Sequence, residues 1–157
     1  MEGLRDKVRT ILTKLEVKNA PVPVQKAAEL FSISVLQYSY FPKNISGTMI
    51  SQEDLSVIGV NAQMAEVRKR FTIAHELGHF LLGHDHNRLI DETFDSKDYR
   101  EQEANKFAAE LLMPHDFLKE DVKVKGITVT ELAKKYIVSE QAMSIRLLET
   151  SLIHEIK

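Results

Sequence analysis

His75-Glu76-Leu77-Gly78-His79 is an H-E-x-x-H sequence and the strongest chemical signal in the chain. On a helix, four residues advance about 400°, so His75 and His79 share one face a turn apart. Their imidazoles can converge on one divalent ion, and such a nitrogen and oxygen ligand shell favours zinc. Glu76 sits about 100° round from His75, at the edge of that face. It is poorly placed to join the same coordination shell. It can reach a water held there and act as general base. Phe71, Ile73, Leu77, Phe80 and Leu81 make this helix largely apolar. Unpaired histidine and glutamate are costly in a buried helix, and metal ligation accounts for their presence.

A catalytic site needs a third protein ligand and one position left for water. Glu101-Gln102-Glu103-Ala104-Asn105 stands on the following helix. Glu101 and Asn105 share a face with Ala104 and Ala108, whose small side chains, with Gly78 opposite, let the two helices approach closely. Glu101 is the preferred third ligand. Glu103 points about 200° away, toward solvent, and is the reserve. Asn105 is placed to hydrogen-bond a ligand histidine. A hydrolytic site also needs a donor for any developing oxyanion. His84, His86, Tyr99 and His115 are the candidates, with nothing to choose among them. His84 and His86 flank Asp85 just beyond the helix and could also take a metal adventitiously. Arg68 and Arg70 could orient acidic groups near the site.

The elements that position these residues follow from periodicity. Leu4, Val8, Ile11, Leu12 and Leu15 predict a helix over residues 4–17. A second short helix is expected over 24–31 and a strand over 33–40. Residues 42–47 read as a turn and 55–60 as another strand. The long helix carrying the histidines is expected over 62–83, with Gly83 as its stop. Residues 84–97 are polar and acidic and read as a loop. The glutamate helix runs over 97–112, and Pro114 ends it. Two more short helices are expected over 128–136 and 139–150, with Ser139 capping the last. The fold class is α+β, with a first domain over residues 1–120 and a C-terminal helical pair over 121–157.

The whole composition sets outer limits. The chain has 157 residues, 43% of them hydrophobic and 28% charged, which suits one globular domain or a domain with a small appendage. Net charge is −2, against the basic excess of a dedicated nucleic-acid binder. With no cysteine, a disulfide, a thiolate metal site and a cysteine nucleophile are excluded. No apolar stretch approaches the ~18 residues of a membrane span, and residues 1–20 lack an apolar signal core. The expectation is a soluble, cytoplasmic protein.

Two long motifs in order are far more specific than H-E-x-x-H alone. Residues 68–82, Arg-Lys-Arg-Phe-Thr-Ile-Ala-His-Glu-Leu-Gly-His-Phe-Leu-Leu, resemble the core of the ImmA/IrrE family of metallopeptidases. Residues 101–114, from Glu101 to Met113-Pro114, resemble that family's second motif. Pro23 to Leu30 resembles its opening helix and Leu132 to Leu147 its closing helical pair. The resemblance implies a helical, zincin-like domain with a small sheet. It implies a gluzincin-like zinc endopeptidase in which His75, His79 and Glu101 bind Zn²⁺ and Glu76 is the catalytic base. It further implies a protein substrate, a helix-turn-helix repressor from a mobile-element, phage or stress-response circuit. A peptide substrate commonly adds to a sheet edge, and the Leu55–Asn61 strand is the expected edge.

A rival reading comes from the C-terminal pair, which has helix-turn-helix proportions. It would make the chain a DNA-binding or protein-binding regulatory module that keeps a metal site without proteolysis. The second helix of the pair offers only Arg146 as a base, against Glu140 and Glu149. Ile137 stands in the turn where glycine is usual. Direct DNA binding and membrane contact are therefore not expected.

Overall fold

The computed structural model describes residues 3–84, 88–91 and 98–156. In chain order its elements are α1 (Leu4–Lys14), α2 (Val24–Glu29), β1 (Ile33–Tyr38), β2 (Ile45–Gln52), β3 (Leu55–Asn61), α3 (Glu66–Leu81), β4 (Arg88–Asp91), α4 (Tyr99–Leu112), α5 (His115–Asp121), α6 (Val129–Tyr136) and α7 (Glu140–Glu149). A short 3₁₀ turn, Leu152–Glu155, follows. This is the expected α+β class. Two compact units result, one of residues 23–108 and one of residues 1–22 with 109–157. The boundary read from the sequence, at residues 120 and 121, keeps chain neighbours together. In the structure α1 instead joins the C-terminal helices, where Arg5 reaches Glu110 at 3.4 Å and Arg9 reaches Asp116 at 2.7 Å.

In the unit of residues 23–108, four strands lie in the order β1-β3-β2-β4. β1 runs parallel to β3, while β2 is antiparallel to both β3 and β4. β3 is thus an interior strand, not the edge expected for a substrate, and β1 and β4 take the edges. Strand β2 replaces the second half of the turn expected over 42–47. Its pattern is hidden by Gly47, which faces inward where an apolar side chain would have signalled a strand. A Cβ on Gly47 would lie 2.5 Å from the Gly59 carbonyl oxygen and 2.7 Å from Thr72 Cγ2. The backbone oxygen cannot rotate away. Gly47→Ala is therefore expected to cost about 1–3 kcal/mol of stability through overpacking. A lowered urea midpoint in that variant checks the contact, and an unchanged midpoint would contradict it. The four-residue strand β4, inside the stretch read as a loop, is too short to show alternation.

α3 begins later than residue 62 because Asn61 intervenes. Its side-chain oxygen accepts the Gln63 N–H at 3.0 Å and closes a turn before the helix can start. From Thr72 to His79 every residue of α3 is buried. Gly78 lets α4 pass close by, since a Cβ there would meet Phe107 Cδ1 at 3.0 Å and the Ala104 carbonyl oxygen at 3.2 Å. Ala104, Phe107 and Ala108 are fully buried, as the helix stripe predicts.

In the other unit, α5 was not visible in the sequence. Pro114 ends α4 and at once caps α5, and proline suits a helix start as well as a helix stop. The Thr128 and Ser139 hydroxyls cap α6 and α7, accepting from Glu131 N at 3.1 Å and Ala142 N at 3.0 Å. Ile137 closes α6 in the left-handed conformation with φ 53°, the role glycine usually fills. Arg146, the one base of α7, is 8% exposed. Its Nε donates to the Met113 carbonyl at 3.0 Å and a terminal nitrogen lies 2.8 Å from Glu110 Oε1. Arg146→Ala would leave the buried Glu110 carboxylate with Arg5 and the His115 N–H, and the expected loss is about 1.5–3 kcal/mol, the worth of a hydrogen bond to a charged group, measured by urea unfolding.

Candidate metal centre

α3 presents His75 and His79 one turn apart, and α4 brings Glu101 across from them. The three side chains offer donor atoms that all lie within 4.8 Å of one another. His75 Nε2 is 3.1 Å from His79 Nε2, and Glu101 Oε2 is 3.4 Å from the first and 2.5 Å from the second. A tetrahedral ion with bonds of about 2.0–2.1 Å separates its ligand atoms by about 3.3 Å. Two of the three separations match that value, and the two-nitrogen, one-oxygen donor set could hold one divalent ion. Both histidines are 1% exposed. The Phe71 ring stacks beside His75, with centroids 6.1 Å apart. Burial pushes the Glu101 carboxyl up. Hydrogen bonds from His75 and His79, and their charge, outweigh that and hold it well below the usual carboxylate range.

Glu76 is also 1% exposed and does not belong to the three-donor group. It follows His75 directly on α3. Asn105 is half-buried on α4, one turn beyond Glu101.

Glu103 departs from expectation. It is not spent on solvent, because its Oε1 lies 2.9 Å from His84 Nε2. The other side of the same ring, His84 Nδ1, lies 2.8 Å from His79 Nδ1. His84 is 8% exposed, not an ordinary loop histidine. A signal for this existed. Gly83 follows the helix with φ +72°, and His84 N donates to the His79 carbonyl at 2.9 Å. That is a Schellman ending, which folds the residue after the glycine back onto the last turn.

The oxyanion donor is not assigned by these positions. His84 is engaged with His79 and Glu103. Tyr99 is exposed, and its phenol hydrogen-bonds the Glu103 carboxylate, whose bond and charge push the phenol up. His115 belongs to the other unit, where its backbone N–H donates to Glu110 Oε2 at 3.0 Å. His86 lies outside the described residues. Arg70 is buried, and with Glu66, Lys69 and Gln37 it lines a cavity of about 400 Å³ that none of the three donors borders. Arg68 is half-buried on the first turn of α3.

A helix bearing H-E-x-x-H, a glutamate from the next helix and a small mixed sheet define a metallopeptidase-like domain. The chain belongs to the peptidase family described as the IrrE N-terminal-like domain, whose match covers residues 28–148. No curated protein gives a match in sequence. Among solved structures, a Mycobacterium tuberculosis transcriptional regulator is similar, with a TM-score of 0.68 and 18% identity. The likeness covers 92% of this chain and 46% of that one, so this chain spans about half the regulator's length. At that identity the likeness concerns the fold. Among the described residues, no helix is long and apolar enough to cross a membrane.

Proposed function

We propose that the chain is a zinc-dependent endopeptidase whose substrate is a helix-turn-helix repressor of a mobile-element, phage or stress-response circuit. The observation that carries the reading is the convergence of His75, His79 and Glu101, with the buried Glu76 next to His75 in the chain. His75, His79 and Glu101 would hold the ion. Zinc, when bound, polarises a scissile carbonyl and lowers the pKa of a water toward ~7. Glu76 takes the proton from the attacking water and returns it to the departing amine. Its burial shields the carboxylate from bulk water. The repressor as substrate rests on the family resemblance of residues 68–82 and 101–114. Cytoplasmic placement is part of the same proposal.

The test is cleavage. The chain loaded with zinc is incubated with a proteome-derived peptide library and with intact helix-turn-helix repressors, and new termini are read by mass spectrometry. Cleavage lost on chelation and restored by zinc is expected. No cleavage in either set would sink the peptidase reading, and cleavage sparing every repressor would sink the substrate. The α6–α7 pair keeps helix-turn-helix proportions, yet its one base on α7, Arg146, is turned inward onto Glu110. A duplex binding assay at low salt, where phosphate contacts are strongest, is expected to show no retardation.

A further inference from the structure

We propose that His84 and Glu103 form a positioning relay that fixes the tautomer and aim of His79. The relay rests on the metal reading above. It follows from the order of atoms. His79 Nε2 faces His75 and Glu101, at 3.1 Å and 2.5 Å, so in the loaded site this nitrogen would give up its hydrogen bond to Glu101 and offer its lone pair to the ion. The neutral ring then carries its proton on Nδ1. That proton points at His84 Nδ1, 2.8 Å away, which must accept it. His84 therefore carries its own proton on Nε2. This nitrogen lies 2.9 Å from Glu103 Oε1, a carboxylate oxygen that can only accept.

Every link is satisfied by one pattern, running from His79 to His84 to Glu103. The reversed neutral pattern fails twice. It would put the His79 proton into the ion's place and set a bare His84 Nε2 against a carboxylate lone pair. The local fold supports the geometry. The glycine turn at Gly83 and the His84 N–H to His79 carbonyl bond hold the His84 backbone in register with His79. Glu103 approaches from α4, two residues past Glu101. One helix thus supplies a ligand and the anchor for another ligand's support.

Ligand histidines backed by a carboxylate gain basicity and a fixed orientation, and losing such a partner typically costs about 10–100-fold in metal affinity. The experiment is zinc affinity by chelator competition on the full chain, with unfolding midpoints recorded for every variant. His84→Ala and Glu103→Ala are each expected to weaken zinc binding by about 10–100-fold. Glu103→Gln keeps an acceptor oxygen and is expected to recover most of the loss. The double variant is expected to lose little beyond His84→Ala, since both residues act through one chain of bonds. A second measurement needs no variant. Nitrogen-resolved NMR of the zinc-loaded wild type should show His84 with its proton on Nε2 and a bare Nδ1. His84 protonated on Nδ1, or on both nitrogens, would overturn the relay. So would wild-type affinity in a folded His84→Ala. A wild type that takes up no zinc would sink the metal reading itself, and the relay with it.

Discussion

Glu76→Gln is expected to lower peptide hydrolysis by at least about 10²–10⁴-fold, the usual worth of a general base, while one metal ion per chain stays bound. The two halves of the expectation come from different parts of the geometry. Metal retention follows because the convergent donors are His75, His79 and Glu101, and Glu76 is not among them. Loss of hydrolysis follows because an amide cannot take a proton at neutral pH. The amide has the same shape and carries no charge, so at 1% exposure it is less costly to bury than the carboxylate. The fold is therefore expected to survive. Elemental analysis, unfolding and the cleavage assay on one preparation separate the cases. Metal lost with the activity would make Glu76 a ligand or a structural prop. Activity kept with the metal would remove the proposed mechanism.

The convergence of His75, His79 and Glu101 was legible in the sequence because its logic is local. The i, i+4 spacing of His75 and His79 fixes their common face whatever surrounds them. Glu101 was legible by helix azimuth together with the small residues Gly78, Ala104 and Ala108, which announce close helix contact. The same azimuth argument failed for Glu103. It tracks the direction of the Cα–Cβ bond and ignores the reach of a long side chain. It also ignores a partner that leaves its helix and turns back, as His84 does after Gly83. Strand β2 was lost for a different reason. Its inward position at residue 47 is occupied by glycine because the Gly59 backbone leaves no room, so the residue that makes the packing possible erases the apolar pattern. The interior place of β3 was not legible at all, because strand order is set by contacts between distant segments. The same holds for α1, whose arginines pair with residues more than a hundred positions away.

Removing a ligand should be more severe than removing the relay behind it. His75→Ala and Glu101→Ala are each expected to weaken zinc binding by about 10²–10³-fold. Structural zinc sites with four ligands bind with about 10–16 kcal/mol, or about 2.5–4 kcal/mol for each ligand. That share corresponds to the stated range. The loss should also appear in folding. A ligand that binds only the native state adds about 2.7 kcal/mol at a hundredfold excess over its Kd. Zinc should therefore raise the unfolding midpoint of wild type and raise it much less in either variant at the same free zinc. The two variants differ in what they leave behind. His75→Ala opens a cavity on the buried face of α3 and should be destabilised even without metal. Glu101 is partly exposed, at 17% for its side chain, and carries no core packing comparable to that of His75. Removing it takes away the hydrogen bonds from His75 and His79 that hold its carboxyl well below the usual carboxylate range, so metal-free Glu101→Ala is expected to unfold below metal-free wild type. The zinc-dependent rise, read in each variant against its own metal-free midpoint, isolates ligation from folding. Zinc retained at wild-type affinity in Glu101→Ala would move the third ligand elsewhere. Glu103 would then be the next carboxylate to remove, since it already reaches the His84 ring at 2.9 Å.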